Sequence, residues 1–319
     1  MKKTRIGVVG VGYLGYFHAQ KYARMQDVEL AGVADIDAAR AHTVAADLRC
    51  PAYSNHRELF GKVDAVSVVV PTSAHFKISR DFLEQDVDVL VEKPMAENLE
   101  DADELIGLAE ARGLIVQVGH LERYNPAVVA LRDILTNPMF IESHRLGLFT
   151  GRSLDVSVVL DLMIHDIDII LNCVKSDLDH LHAAGIAVIS PQVDIANARL
   201  EFQNGCVANV TASRISAKNQ RKIRFFQSDA YVSVDFSARE ISITRRDPGT
   251  GGQPVPGLSF SQIHFEPADA LESELKAFVR SVASRAVPEV SGREGRNALT
   301  IALSIMEQIN SANRRYVRH

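Results

Sequence analysis

Arg5-Ile6-Gly7-Val8-Val9-Gly10-Val11-Gly12-Tyr13-Leu14-Gly15, near the start of a 319-residue chain, joins a short apolar run to a glycine-rich turn. Glycines at 10, 12 and 15 permit a tight turn and let backbone N–H groups approach a pyrophosphate where a helix begins, with Tyr13 and Leu14 in its first turn. A second apolar run, Val28 to Ala34, is followed at once by Asp35. A carboxylate there can bind the adenosine ribose hydroxyls and repels a 2'-phosphate, so the cofactor it points to is NAD rather than NADP. Arg40 either softens that preference or is a solvated helix residue.

Strand-like runs at Arg5 to Val9, Val28 to Ala34, Asp64 to Val70, Val87 to Val91 and Ile115 to Val118 alternate with helical stretches such as Ser73 to Glu84 and Leu99 to Arg112. Strands apolar on both faces, separated by helices, predict a doubly wound parallel sheet of Rossmann type. After Asn125-Pro126 the pattern changes to a helix to about Leu135, a strand near Phe140 to Leu146 and an apolar helix around Val156 to Leu171. β-rich segments come next: Ile195 to Phe202 and Val207 to Ser213 joined through Asn204-Gly205, a hairpin signal, then Ile223 to Phe226, Tyr231 to Phe236 and Glu240 to Thr244. Pro248 to Gly257 reads as a loop, and two helices close the chain, one from near Pro267 and one from about Arg293 to Asn313. The expected division is a nucleotide-binding domain over 1–122 and an α+β domain over 123–319, whose C-terminal helix is free to pack back on the first.

With 46% hydrophobic residues the chain can bury a large core, and its net charge of -5 argues against a nucleic-acid partner. The apolar stretch after Met1-Lys2-Lys3-Thr4-Arg5 is too short for a signal peptide, and no run reaches the roughly 18 apolar residues of a membrane span. Cys50, Cys173 and Cys206 are odd in number and widely spaced, which fits reduced thiols in the cytoplasm.

Pro71-Thr72-Ser73 comes after a predicted strand and lies at the carboxyl edge of the sheet, where such folds bind ligands. His75 and His18 are either ligand contacts or packing histidines. Glu92-Lys93-Pro94 ends another strand at the same edge. There Lys93 can act neutral as a base or charged as a stabiliser of a developing alkoxide, and a cis bond before Pro94 would aim it; the competing reading is a surface lysine paired with Glu92. Asp161, His165 and Asp168 fall at i, i+4 and i+7, on one face of an otherwise apolar helix. Three such groups are costly to bury alone, so they are expected to line a polar cleft. A metal site lacks a supporting His/Cys cluster, and a hydrogen-bonded structural stripe stays open as an alternative. Hydride transfer from a secondary alcohol needs a proton acceptor and an oxyanion stabiliser, roles His165 and Lys93 can fill with Asp161 orienting or tuning them.

With Gly10-x-Gly12-x-x-Gly15-x-x-His18, Glu92-Lys93-Pro94 and Asp161-x-x-x-His165-x-x-Asp168 in this order, the chain resembles the glucose-fructose oxidoreductase/inositol dehydrogenase/rhizopine catabolism family over essentially its full length. The resemblance implies a Rossmann domain that holds NAD and a C-terminal α+β domain with a large, mostly antiparallel open sheet. It implies Lys93, Asp161 and His165 as catalytic groups, and cofactor contacts from Gly10, Gly12, Tyr13, Leu14, Gly15, Asp35, Pro71, Thr72, His75, Glu92 and Lys93. Many members have a glycine run where this chain has Asp155-Val156-Ser157. Gly119 to Pro126 and Arg152 to Val156 look most like the nucleotide-sugar branch, the UDP-N-acetylglucosamine 3-dehydrogenases whose keto product an aminotransferase consumes in lipid A diamino-sugar synthesis. For such a substrate Lys93, Arg123, Tyr124, Arg152, Asp161, His165 and Arg214 are the expected contacts. Arg123, Arg152, Arg214 and Lys218 are the cations available to a diphosphate. A homodimer or homotetramer is expected, because an open sheet needs its exposed face covered.

Overall fold

The computed structural model describes residues 3–149, 156–247 and 257–316. Its helices are α1 (Tyr13–Arg24), α2 (Ala38–Leu48), α3 (His75–Leu83), α4 (Leu99–Arg112), α5 (Pro126–Ile134), α6 (Ile164–Val174), α7 (Ala270–Ser284) and α8 (Gly292–Tyr316). The chain forms two compact units, one of Met1–Tyr124 with Asp269–Leu299 and one of Asn125–Ala268 with Thr300–His319.

The first unit is built on six parallel strands: β1 (Thr4–Val9), β2 (Val28–Ala34), β3 (Ala52–Tyr53), β4 (Ala65–Val68), β5 (Asp88–Glu92) and β6 (Val116–Gly119). Their order, β3-β2-β1-β4-β5-β6, is that of a doubly wound sheet whose direction of winding reverses between β1 and β4. The loops leaving those two strands carry Gly10 to Gly15 and Pro71-Thr72, so the topology sets both at the crevice where the sheet can receive a ligand. Every residue of β4 is buried, as helices on both faces require. Local chemistry sets the helix ends: the Asp37 and Asn98 side chains accept from the backbone N–H groups of Arg40 and Asp101, and Gly113 closes α4 at φ +63°.

The chain leaves the first unit after Tyr124, two residues beyond the expected boundary, and comes back to it for Asp269–Leu299, which is α7 with the start of α8, where the expectation left the C-terminal helix free to return. Leu271, Leu275, Phe278, Val279 and Val282 of α7 share one buried cluster with Ile6 and Val8 of β1 and Tyr22 of α1, so the sheet needs α7 to cover it. Arg285, just past α7, pairs with Asp88 at the start of β5.

The second unit has eight strands: β7 (Phe140–Leu146), β8 (Leu178–Ile186), β9 (Ile195–Phe202), β10 (Val207–Ser213), β11 (Gln220–Phe226), β12 (Ala230–Asp235), β13 (Glu240–Arg246) and β14 (Leu258–His264). They are ordered β14-β13-β12-β11-β7-β10-β9-β8, with β7 and β10 parallel and the other neighbours antiparallel. β9 and β10 are joined as the Asn204-Gly205 signal predicts, with Gly205 at φ +84°. Three strands, β3, β8 and β14, were not expected, and all three are sheet edges. The Pro248 to Gly257 segment lies outside the described residues except for its last residue. No helix among the described residues is long and apolar enough to cross a membrane.

Alternation along β9, with Ala196, Ala198, Leu200 and Phe202 buried and Asn197 and Arg199 exposed, marks one covered face. An ion pair lies on that face: Arg145 of β7 and Asp166 of α6 are 4% and 2% exposed. Arg145 Nη2 donates to Asp166 Oδ1 at 2.8 Å, and its Nε reaches both carboxylate oxygens at 3.1 Å. The pair fixes the helix residue next to His165 against the sheet. Arg145→Met should lower unfolding free energy by about 3–5 kcal/mol in urea titrations, because it leaves Asp166 buried without its counter-charge. Arg145→Met combined with Asp166→Leu should recover most of that loss.

Candidate active site

At the end of β1 the chain turns with Gly10 at φ +83°. A Cβ on Gly10 would lie 2.4 Å from the Val69 carbonyl oxygen, and one on Gly15 would lie 1.8 Å from the Gly10 carbonyl oxygen. Both positions are therefore closed to any side chain. A Cβ on Gly12 would meet nothing within 4 Å, which leaves the space before α1 open to a ligand. Gly12 is also the N-cap of α1 and no side chain caps the helix, so its first N–H groups remain available to an anion. These features fit the pyrophosphate of a dinucleotide.

Asp35 performs two tasks. Its Oδ2 accepts from Val11 N–H and its Oδ1 from Asp37 N–H, both at 2.9 Å, so it holds the glycine turn against the end of β2. A carboxylate offers about four lone-pair sites, leaving acceptors for ribose hydroxyls. Arg40 lies 3.5 Å from Asp35 and also pairs with Asp37. Asp35, Gly12 and Pro71 line one groove of ≈ 790 Å³ with exposed Ile36 and Lys77, a size suited to a cofactor.

His75 does not line that groove. It opens α3, is almost fully buried, and has Nδ1 2.8 Å from the Pro94 carbonyl and Nε2 2.8 Å from the Val70 carbonyl. The ring thus ties the loop after β4 to the loop that carries Lys93. Burial pushes the imidazole below its ordinary pKa, although both carbonyls favour its charged form. Lys93 comes directly after β5, is half-buried, and donates its backbone N–H to Glu92 Oε2 at 3.3 Å; the Lys93–Pro94 bond is cis.

Beneath Lys93 two carboxyls titrate in opposite directions. Burial raises the Glu92 carboxyl, but His18 Nε2 at 3.3 Å, with Lys93 and His75 nearby, holds it below the usual carboxylate range. Glu274 of α7 is fully buried with no hydrogen-bond partner for either carboxyl oxygen among the described residues, and burial together with the charge of Glu92 raises it well above that range. Glu274 therefore keeps a proton while Glu92 is ionised. Sequence reasoning missed Glu274, yet it occupies the apolar stripe of its helix between Leu271 and Phe278, three and four residues away. His120 is fully buried, and burial with the charges of Lys93 and Arg123 pushes its imidazole down to about 3.

Two expected substrate contacts in this unit are buried. Arg123 is 2% exposed and donates to the Glu289 carbonyl and to Glu294 Oε1, at 3.2 and 3.1 Å, so its cation is committed internally. Tyr124 is buried, and burial raises its phenol above the ordinary range.

In the second unit, Asp161 lies in a π-helical turn, Val159–Met163, that runs into α6, which carries His165; both residues are half-buried. A wider turn changes the angle between residues four apart, and π turns recur at functional sites. Asp168, expected on the same cleft-lining face, is buried at 2% exposure. Arg214 is buried and donates to the Val156 carbonyl at 2.5 Å, Lys218 is exposed, and Arg152 lies outside the described residues. Each unit thus presents part of the expected set: Lys93 with the glycine turn in one, Asp161 and His165 in the other.

Residues 4–120 match a family model described as an oxidoreductase family with an NAD-binding Rossmann fold, and residues 142–233 match the C-terminal domain model of the same family. UDP-N-acetylglucosamine 3-dehydrogenase of Acidithiobacillus ferrooxidans is 40% identical over 96% of this chain and 97% of its own length. Its solved structure superimposes with a TM-score of 0.92 over 98% of this chain and 99% of that one, at 39% identity. Myo-inositol 2-dehydrogenase of Thermotoga maritima is 26% identical over 96% of both chains. A Lactobacillus casei scyllo-inositol dehydrogenase structure with bound NAD(H) and scyllo-inositol has a TM-score of 0.82 at 19% identity over 98% of each chain, and so shares the fold.

The opposed carboxyls give a measurable pH signature. Glu274 binds its proton more tightly folded than unfolded, so its favourable contribution is complete below the unfolded carboxylate pKa and is lost as pH rises through the folded value. Glu274→Gln should therefore raise the melting temperature by an amount that grows from pH 5 to pH 9 and vanishes near pH 4. A gain independent of pH would refute this assignment.

Proposed function

This chain belongs to the GFO/IDH/MocA family of NAD-binding oxidoreductases, and we propose on that footing that it oxidises the C3 hydroxyl of UDP-N-acetylglucosamine to a ketone. The observation that carries the substrate is the near full-length likeness to the Acidithiobacillus enzyme. Bound NAD supplies the hydride acceptor. The uncapped start of α1 and the open side of Gly12 hold its pyrophosphate, and Asp35 accepts from its ribose hydroxyls. Lys93 stabilises the alkoxide as the hydroxyl proton leaves, His165 takes that proton, and Asp161 tunes the pair.

The product's chemistry sets the class of the next reaction. A 3-keto sugar carries a free carbonyl, which an aminotransferase can convert to an amine, and the proposed setting is lipid A diamino-sugar synthesis in the cytoplasm. On the outer face of the second sheet, Glu142 pairs with Arg224 and Asn197 with Thr211. Such a polar but structured face suits a second copy of the chain, and a homodimer or homotetramer is the proposed assembly. Likeness to inositol dehydrogenases favours a free polyol as the alternative substrate. A dinucleotide sensor without catalysis is the reading from another class.

The deciding assay monitors NADH absorbance with UDP-N-acetylglucosamine and NAD, with hydroxylamine present to trap the ketone, beside free N-acetylglucosamine and inositol. Turnover of the UDP-sugar alone is expected; turnover of the free polyols instead would overturn the substrate. Lys93→Ala and His165→Ala should each lower kcat by about 10²–10⁴-fold, the range for a lost acid–base group. Undiminished turnover in Lys93→Ala would remove its assigned role, and no turnover by the unaltered protein despite NAD binding would favour the sensor.

A further inference from the structure

We propose that the second unit holds a nucleoside diphosphate subsite beside Asp161, in a pocket walled by Arg214, Arg221, Asn219, Phe149 and Phe236, and that Arg221 and Asn219 set specificity for that arm of the substrate. This subsite rests on the nucleotide-sugar reading and adds Arg221 and Asn219 to it.

The pocket measures ≈ 470 Å³, within the size range of small-molecule sites. Its charge is set by sheet register. Arg221 of β11 is the direct partner of Arg145 of β7, so both side chains leave the same face of the sheet, and Arg214 comes just after the last residue of β10, whose partner Ser213↔Leu146 lies one step along β7. Three guanidiniums are thereby gathered near one end of the covered face. They differ in how far their charge is already matched.

Arg145 is fully matched by Asp166. Arg214 has its Nε 3.9 Å from Asp194 Oδ1. That carboxylate already accepts from the backbone N–H groups of Val188, Ile189 and Ser190 and from the Ser190 hydroxyl, contacts that outweigh burial and hold it at about 2. Arg221 is exposed and forms no ion pair with any described residue. Guanidinium forks match phosphate oxygens two at a time, so this wall suits a diphosphate better than a neutral sugar.

The other walls suit a base. Phe149, half exposed, and Phe236, buried with the Arg145 guanidinium 5.9 Å from its ring centroid, give this side its apolar character. Asn219 Oδ1 accepts the Leu148 N–H at 2.9 Å, which orients the side chain and leaves its amide N–H groups to donate to a pyrimidine carbonyl or a phosphate oxygen. Asp161 lies on the same wall, so the arm and the reacting end meet at one residue.

Two variants probe this at exposed positions. Arg221→Gln removes the unmatched cation. Asn219→Asp keeps the acceptor for Leu148 while placing an anion opposite the diphosphate. Calorimetric titration of the full-length protein, NAD present, would measure UDP, inorganic pyrophosphate and uridine separately, with KM and kcat for UDP-N-acetylglucosamine in parallel. Each variant should weaken UDP and raise the UDP-sugar KM by about ten-fold or more, the loss expected for a charge-assisted contact, while the KM for NAD stays constant.

Unchanged UDP affinity and KM in both variants, with the unaltered protein turning over UDP-N-acetylglucosamine, would overturn the subsite and leave the proposed function standing. UDP binding that both variants weaken, without turnover of the UDP-sugar, would keep the subsite and overturn the function. Pyrophosphate binding as tightly as UDP would reduce the pocket to an anion site and overturn its nucleoside half. Absence of both UDP binding and turnover would overturn both proposals.

Discussion

A methyl group has no room at residue 15. Its position falls 1.8 Å from the Gly10 carbonyl, and the position at residue 10 falls against the backbone after β4. This steric closure lets β1, β4 and α1 approach until backbone alone forms the turn, and the remaining side, at Gly12, faces outward. Asp35 then fastens the turn through Val11 N–H. The ligand-binding edge is thus a product of close packing, and the same contact that excludes side chains exposes the N–H groups an anion needs.

Buried charge is handled in three ways. Arg145 and Asp166 match each other with several hydrogen bonds, which offsets much of the cost of removing both from water. Among the described residues Asp194 has no counter-ion closer than 3.9 Å, and it instead collects backbone donors. Glu274 has neither and keeps its proton. The three solutions divide the labour: the first docks α6 beside His165, the second folds the turn that precedes β9, and the third sets a neutral acid next to ionised Glu92. A reaction that moves a proton and a hydride benefits from surroundings whose own protons stay in place.

Much of this was legible in the chain. The glycine turn, Asp35 and the five longer strands of the first sheet can be read from apolar runs and the residues that punctuate them, and Asn204-Gly205 marked a true hairpin. The unexpected strands share a cause. β3, β8 and β14 are edges, and an edge strand is paired on one side and partly solvated, so it lacks the sustained apolar signal of an interior strand; five of the seven residues of β14 are exposed. Site residues divide similarly. Lys93, Asp161 and His165 stood out because reactive groups interrupted apolar segments. Arg123 was less legible, since an arginine committed to Glu294 and one free to bind a phosphate have the same letter and similar neighbours. The π turn at Asp161 has no period of its own, and α-helical spacing put Asp168 in the cleft although it is buried. Glu274 was readable in principle as an acid on an apolar stripe.

The return of the chain to its first unit has a consequence for its birth on the ribosome. Synthesis delivers β1 to β6 first, but the apolar face that α7 covers stays open until everything from Asn125 to Ala268 has been made. At translation speeds of about 5–20 residues per second that interval lasts for many seconds, long on the scale of hydrophobic collapse. The nascent nucleotide-binding half must therefore wait, incomplete and sticky, for a helix that is made only after the last strand of the second sheet.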